Sequence, residues 1–307
     1  MMETEFKHVP VLLAEVIEAL QINPHGKYLD GTFGRGGHAR EILARLGPQG
    51  RLLLMDRDPT AITAAEAAFG TDPRVQIRHG NFAEMADWSA TAEGLDGIFL
   101  DLGVSSPQLD DASRGFSFQS SGPLDMRMDT SRGQSVAQWL AVADEAEIAD
   151  VLWRYGEERM SRRIARAIIE RREEQPVQTT IELAELVTRC LGYRERNKHP
   201  ATRTFQGLRI FINDELGALD AGLTAALACL KPAGRLAVIS FHSLEDRAVK
   251  RFIRGQGATV QVRRNLPPLA ESESDLIARG KFFPGEAELA ENPRARSAVL
   301  RVAEKRA

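Results

Sequence analysis

The chain is poor in the residues that staple small proteins or hold metals. Its only cysteines, Cys190 and Cys229, lie too far apart in sequence to suggest a disulfide framework or a Cys-x-x-Cys metal site. The histidines at 8, 25, 38, 79, 199 and 242 are scattered as well, and no metal site is readable. A charged N-terminal region leading into an apolar run is missing, as is any apolar stretch long enough to span a bilayer. A soluble, cytoplasmic protein with no membrane partner is therefore expected. Positive charge is not in excess either: a net charge of −3 excludes a globally basic nucleic-acid binder but leaves local basic patches open. What the chain does have is length and apolar content. A hydrophobic fraction of 43% is ample for a buried core, and 307 residues exceed one typical domain, so two domains or one with a large insertion are expected.

The strongest local signal is Tyr28-Leu-Asp-Gly-Thr-Phe-Gly-Arg-Gly-Gly-His38. Tyr28 and Leu29 precede Asp30, four glycines (Gly31, Gly34, Gly36, Gly37) fill a turn, and Ile42, Leu43 and Leu46 recur at helical spacing. The stretch reads as strand, glycine-rich turn and helix. Glycine suits such a turn because the backbone takes positive φ and approaches a ligand closely, while N–H groups at the helix start attract polar or anionic groups. Gly34 to Ala39 also satisfies G-x-G-x-x-A, which a dinucleotide site would share. Asp30 ends the first strand, where S-adenosylmethionine (SAM) sites carry an acid facing the methionine end of the cofactor. Asp56 closes the next strand, Arg51-Leu-Leu-Leu-Met-Asp56, about 20 residues beyond the turn, where a carboxylate takes ribose hydroxyls in SAM and NAD enzymes alike. The bland alternative is a tight turn with no ligand.

The same alternation continues down the chain. Val9, Leu12, Leu13, Val16, Ile17 and Leu20 make one face of a helix over 8–20. Pro59 sits at a helix start continued from Ala61 to Phe69, Arg74 to Arg78 alternates as a third strand, and Asp96 to Asp101 is a fourth. Phe82, in the loop after the third strand, suits an adenine ring or the core equally. Strands alternating with helices predict a parallel, doubly wound sheet.

From Gly103 to Gly133 the pattern stops and Gly, Ser, Pro and Asp dominate. Phe116, Phe118, Met126 and Met128 are too apolar for a disordered linker, so an ordered active-site loop is expected. Helices follow at 136–142, 144–155, 157–172 and 180–191, an inserted helical domain. Arg159, Arg162, Arg163, Arg166, Arg171 and Arg172 make the third helix basic, and Arg194 to Arg203 adds a second basic stretch. Each is a solvated face or part of an RNA-binding surface. A long helix over 205–230 resumes the doubly wound pattern, with Lys231 to Gly234 as its stop. Strands are then expected at 235–241, 258–262 and 297–303, a helix at 244–253, and a long polar connection over 265–296 closing an antiparallel hairpin. The fold class is thus α/β, a doubly wound (Rossmann-like), seven-stranded SAM-dependent methyltransferase sheet with an inserted all-helical domain. Residues 1–106 and 205–307 form the methyltransferase domain, and 107–204 the loop and helical insertion.

Longer phrases make a family resemblance specific. Asp30-Gly-Thr-Phe-Gly-Arg-Gly-Gly-His38, Asp101-Leu-Gly-Val-Ser-Ser-Pro-Gln-Leu-Asp-Asp111, Arg114-Gly-Phe-Ser-Phe118, Gly122-Pro-Leu-Asp-Met-Arg-Met-Asp129, Tyr155-Gly-Glu-Glu-Arg159, Ala201-Thr-Arg-Thr-Phe-Gln206, Ser240-Phe-His-Ser-Leu-Glu-Asp246 and Asn292-Pro-Arg-Ala-Arg-Ser297 resemble the bacterial 16S ribosomal RNA cytosine N4-methyltransferase family (RsmH, formerly MraW). The likeness runs from His8 to the C-terminus with no departure at a motif position. It implies SAM-dependent methyl transfer to the exocyclic amine of a cytidine in the decoding region of the small ribosomal subunit, with 16S rRNA as partner. The oligomeric state is left open, a homodimer included. The family's SAM contacts, carried over to matching positions, fall on Gly36, Gly37, His38, Asp56, Phe82, Asp101 and Gln108.

The chemistry narrows the catalytic candidates independently. A cytosine exocyclic amine is a poor nucleophile because its lone pair is conjugated into the ring, so it must be held in line with the methyl donor. A hydrogen-bond acceptor at its N–H helps by keeping electron density on nitrogen, and Asp101, at the carboxyl end of the fourth strand, is the best-placed catalytic acceptor. Amino-methyltransferases of DNA follow this position with Pro-Pro-aromatic, whereas here Leu102, Gly103 and Val104 follow. The stacking aromatic must come from elsewhere, with Phe116, Phe118 and Phe241 as candidates that suit the core as well. His242 is either a proton relay or structural. Two other functions compete. An NAD-dependent oxidoreductase would share the glycine turn and Asp56, and a non-enzymatic RNA-binding or assembly factor would keep the basic insertion but have no need of Asp30, Asp56 and Asp101 together at strand ends.

Overall fold

The computed structural model describes residues 10–192, 199–255 and 274–307. In chain order the elements are α1 (Leu13–Leu20), β1 (Lys27–Asp30), α2 (Gly37–Arg45), β2 (Arg51–Asp56), α3 (Pro59–Phe69), β3 (Val75–His79) and β4 (Leu95–Asp101). A helical run follows: α4 (Ser106–Asp110), α5 (Val136–Val142), α6 (Glu145–Arg154), α7 (Ser161–Glu174), α8 (Thr180–Leu191) and α9 (Thr202–Ile212). The chain closes with α10 (Glu215–Cys229), β5 (Leu230–Ser240), α11 (Ser243–Ile253), β6 (Leu276–Phe282), α12 (Glu286–Glu291) and β7 (Val299–Lys305). Two compact units result, one made of the described residues up to Gly103 and from Leu216 on, the other of Val104–Glu215. Among the described residues no helix is long and apolar enough to cross a membrane.

The first unit is built on a sheet of order β3-β2-β1-β4-β5-β7-β6. Strands β1 to β5 are parallel neighbours, while β7 runs antiparallel to both β5 and β6. The uninterrupted apolar run Leu52 to Met55 explains why β2 sits inside a covered sheet: both faces are buried, so no polar alternation is needed. Leu52 and Leu54 pack with Tyr28, Phe99 and Ile42 on one face, and Leu53 and Met55 with Leu29, Ile98 and Leu223 on the other. Burying each such leucine contributes about 1.5–3 kcal/mol. At the start of α3, Asp58 accepts the Thr60 N–H at 2.9 Å and Pro59 fills the first turn, where no donor is missed.

The second unit has its own core, in which Leu140, Ile148, Leu152, Ile164, Leu183 and Leu208 meet. Its helices begin at capping boxes visible in the sequence as Ser135 with Gln138, Asp144 with Glu147 and Thr179 with Glu182. The expected loop from 103 onward is ordered, but for a packing reason. Phe116, Leu124, Met126 and Met128 are buried in this helical core. Asn213 clamps the segment by donating to Met126 O (2.7 Å) and accepting the Met128 N–H (2.8 Å).

Several boundaries differ from expectation, each for a local reason. The long helix over 205–230 is two helices, because the chain turns at Asn213 and at Asp214, whose φ of 46° is left-handed. That turn carries α9 into the helical unit. The third helix of the insertion starts at Ser161 instead of Glu157: Glu157 has φ 51°, the Glu158 N–H bonds back to Leu152 O, and the buried Glu158 carboxylate takes the Met160 N–H. Arg159 therefore precedes α7. The first helix begins at Leu13, and His8 and Val9 lie outside the described residues. Strand β5 starts at Leu230, directly after α10, and carries Lys231 to Gly234 within it. The strand expected at 258–262 lies outside the described residues, and β6 occupies part of what the polar pattern suggested was a connection. As the outermost strand, β6 shows exposed Arg279 and Lys281 and a register shift at Gly280, which erases the period of two.

Candidate active site

Three adjacent strands, β2, β1 and β4, each end in an aspartate: Asp56, Asp30 and Asp101. The glycine turn is strung between them. The Gly31 N–H donates to Phe99 O (3.0 Å), Thr32 N–H to Asp30 Oδ1 (3.1 Å), Phe33 N–H to Met55 O (3.1 Å) and Gly34 N–H to Asp56 Oδ2 (2.8 Å). Gly36 precedes α2 with φ 74°, and a Cβ there would stand 2.5 Å from the Phe33 ring. A side chain at 36 would be strained by the left-handed backbone and would displace the Phe33 ring. The first N–H groups of α2, on Gly37 and His38, have no intrahelical acceptor and face the end of the helix. Thr32 Oγ1 accepts the Asp101 N–H at 2.6 Å, tying the turn to β4.

The three carboxylates act on one another, Asp30 buried and Asp56 and Asp101 half-buried, and all titrate high. Asp101 is pushed up to about 8, first by burial and then by the charges of Asp30 and Glu245. Asp30 is raised to about 7 by burial, with the Thr32 N–H opposing and Asp56 adding to the rise. Asp56 rises to about 6, again by burial, against hydrogen bonds from Asp58 and Gly34. The Oδ1 atom of Asp101 is buried and has no hydrogen-bond partner among the described residues. Such an atom is costly unless something brings it a proton or a donor. Among the described residues, the charges that shift these three carboxylates come from other acids.

The expected site residues separate on inspection. Gly36 and Gly37 form the helix start as anticipated, and Asp56 is in place, but both its oxygens already hold backbone, Oδ2 from Gly34 and Oδ1 from Asp58 (2.8 Å each). His38 is buried, its Nε2 3.0 Å from Val11 O and its ring 4.4 Å from that of Phe99. Its ring thus packs against the sheet, and its backbone N–H belongs to the first turn of α2. Phe82 is half-buried at the end of the β3 loop, seated against Gly31 and against Gly222 of α10, where a Cβ would come within 2.3 Å of the ring. Gln108 belongs to the second unit, where its side-chain carbonyl accepts the Ser105 N–H (2.9 Å) as part of the α4 cap.

Of the aromatic candidates, Phe116 is core, Phe118 stacks on His199 (4.5 Å) and meets Phe205 edge-on (4.9 Å), and Phe241 packs partly on the sheet core. His242 caps α11, its Nδ1 accepting the Glu245 N–H at 3.4 Å. Its Nε2 is 3.1 Å from Glu245 Oε1 but off the hydrogen-bond axis. Thr32 and Glu245 were missed by sequence reasoning. Glu245 is buried and accepts the Phe241 N–H (2.8 Å) beside Asp101. Its signal was the capping-box spacing from His242.

Comparison with known proteins fits this geometry. The profile described as the MraW methylase family matches residues 5–306. The chain belongs to that family. Among its relatives, "Ribosomal RNA small subunit methyltransferase H" of Stenotrophomonas maltophilia (strain K279a) is 59% identical over 301 residues, covering 97% of this chain and 93% of that protein. The protein of the same name from Xanthomonas euvesicatoria pv. vesicatoria (strain 85-10) is 60% identical over 299 residues, covering 97% of this chain and 88% of its own length. An NAD-dependent oxidoreductase is thereby set aside.

Within this member of the family, the basic helix α7 has two kinds of arginine. Arg172 donates to Leu140 O (2.9 Å) and Ala143 O (2.7 Å), and Arg171 to Gln175 O (2.7 Å), so both hold local backbone. Arg162, Arg163 and Arg166 are exposed. Arg163, Arg166 and Arg171 line an open groove of about 400 Å³ with Arg189, Glu170, Glu174 and Cys190. Arg166 approaches Glu145 at 3.7 Å.

Proposed function

We propose that this chain transfers a methyl group from SAM to the N4 exocyclic amine of a cytidine in the decoding region of 16S rRNA, acting in the cytoplasm on the small ribosomal subunit. The observation that carries the reading is the trio of Asp30, buried, and Asp56 and Asp101, half-buried, around a glycine turn, in a chain of the MraW methylase family. Three carboxylates together favour a cationic ligand, whereas a pyrophosphate would add negative charge beside them. SAM, when bound, supplies a methyl group on a positively charged sulfur that leaves as a neutral thioether.

The protein's part is holding and proton acceptance. The Gly37 and His38 N–H groups and the small Gly36 give polar parts of the cofactor close access to backbone. Asp56 keeps lone pairs for ribose hydroxyls, and Phe82 offers the ring face turned away from Gly222 to the adenine. Gln108, occupied as a cap, is the least suited of the expected contacts. As the amine nitrogen bonds to the methyl carbon, one N–H bond breaks, its electron pair stays on nitrogen and its proton goes to Asp101. Asp101 Oδ1, buried and unpartnered, is the atom to receive it, and a pKa near the working pH suits a general base.

The test is tritiated SAM with small subunits from a strain lacking this activity, followed by nucleoside analysis. Label in N4-methylcytidine is expected. Label in another nucleoside, or none, overturns the assignment.

A further inference from the structure

Strand register carries one exposed aromatic pair to the level of the candidate active site. Asp101 of β4 is the lateral partner of Ile239, Ile239 of Leu300, and Leu300 of Phe282, so one row across the sheet joins Asp101 to the end of edge strand β6. Three strand spacings make that row about 14 Å long. Phe282 and the next residue, Phe283, are 39% and 58% exposed, two of four large apolar side chains left in solvent among the described residues. They are not a loose hydrophobic patch. The Phe282 ring lies over Gly280, where a Cβ would come within 2.5 Å, and the Lys281 ammonium stands 4.5 Å above the Phe283 ring. Arg296 is exposed on the turn leading into β7, whose first residue, Val299, pairs with Ser240 at the same sheet edge.

We propose that Phe282 and Phe283, with Lys281 and Arg296, form a stacking platform for unpaired nucleotides that flank the target cytidine in the rRNA. This rests on the rRNA methyltransferase reading above. Exposed aromatic faces beside cations are what sequence-tolerant single-strand binding uses, since every base has a π-face and every linkage a phosphate. The rings carry the argument more than the charge does, because Glu286 and Glu291 of neighbouring α12 are exposed as well. The row length sets the role: the platform is too far from Asp101 to hold the reacting base and close enough to hold its neighbours.

The experiment uses Phe282→Leu and Phe283→Leu, singly and together, which keep apolar bulk and remove the π-face. Binding to small subunits lacking the modification should weaken about tenfold per ring, with SAM affinity and thermal midpoint unchanged. Phe283→Trp should restore or tighten binding. Lys281→Ala and Arg296→Ala should each flatten the salt dependence of log affinity by about 0.7. Unchanged subunit affinity in the double leucine variant overturns the proposal. So does conversion of a dimer to a monomer with subunit affinity intact, which would make this edge a contact between copies of the chain. Methyl transfer by the unsubstituted protein is measured in parallel: its absence would remove the functional reading itself, a result distinct from normal transfer with an unchanged KM for subunits in the double variant.

Discussion

Asp101 and Asp56 look alike in the sequence, each an aspartate closing an apolar strand, yet their surroundings give them different work. Asp56 already anchors the turn through the Gly34 N–H and α3 through the Asp58 N–H. Asp56→Ala should weaken SAM binding by about 1.5–3 kcal/mol, roughly ten- to a hundredfold, through loss of a charge-assisted bond. Asp56→Asn should lose less, because its one carbonyl oxygen still accepts one of the two backbone N–H groups. Calorimetry on both variants decides, and equal affinity in all three proteins would remove Asp56 from the cofactor site. Asp101, by contrast, presents an unused buried oxygen. Asp101→Asn should slow single-turnover methyl transfer at saturating SAM by about 10²- to 10⁴-fold. A variant that transfers at full rate would leave Asp101 without a catalytic role.

At the scale of elements, helix α7 and the α9–α10 break carry separable consequences. Replacing Arg163 and Arg166 with Ala should flatten the slope of log subunit affinity against log salt by roughly 1.4 if both touch phosphate, at about 0.7 per contact. SAM binding should be intact, since the glycine turn lies in the other unit. A well-folded double variant with unchanged slope would make these arginines a solvated face. The break at Asn213 is a stability matter. Asn213→Ala strands Met126 O and the Met128 N–H in a buried setting and should cost about 1–3 kcal/mol in chemical denaturation. A cost near zero would mean the segment is held by Met126 and Met128 packing alone.

For the molecule as a whole, the acidic trio makes stability and cofactor binding respond to pH. Asp30 and Asp101 titrate near 7 and 8 when folded and near 4 when unfolded, so across that interval the folded state holds more protons than the unfolded state. Stability contributed by these groups must therefore fall as pH rises toward 8, the reverse of the usual salt-bridged carboxylate. The thermal midpoint without SAM should decline between pH 6 and pH 8.5, and less steeply in Asp101→Asn. A cation bound beside the carboxylates favours their charged forms, so SAM should reduce the decline and its binding near pH 7 should release protons. Calorimetry in buffers of different ionisation enthalpy measures that release. An enthalpy independent of buffer would mean that the trio is already ionised.

What the sequence determined by itself was whatever depends on neighbours along the chain. The glycine turn, the aspartates at 30, 56 and 101, the helix caps at Ser135, Asp144 and Thr179, and the strands buried on both faces are all written in local spacing, because turn geometry and capping act over a few residues. Periodicity could not find the break at Asn213, since α9 and α10 both carry apolar faces and the turn between them is set by hydrogen bonds to residues 126 and 128. It could not find β6, whose edge position removes the alternation that marks a half-buried strand. Nor could it show what engages the His38 and Gln108 side chains, because Val11 O and the α4 cap meet them only once the chain has folded. The row from Asp101 to Phe282 likewise exists only in the tertiary structure, where register joins residues that lie 181 positions apart.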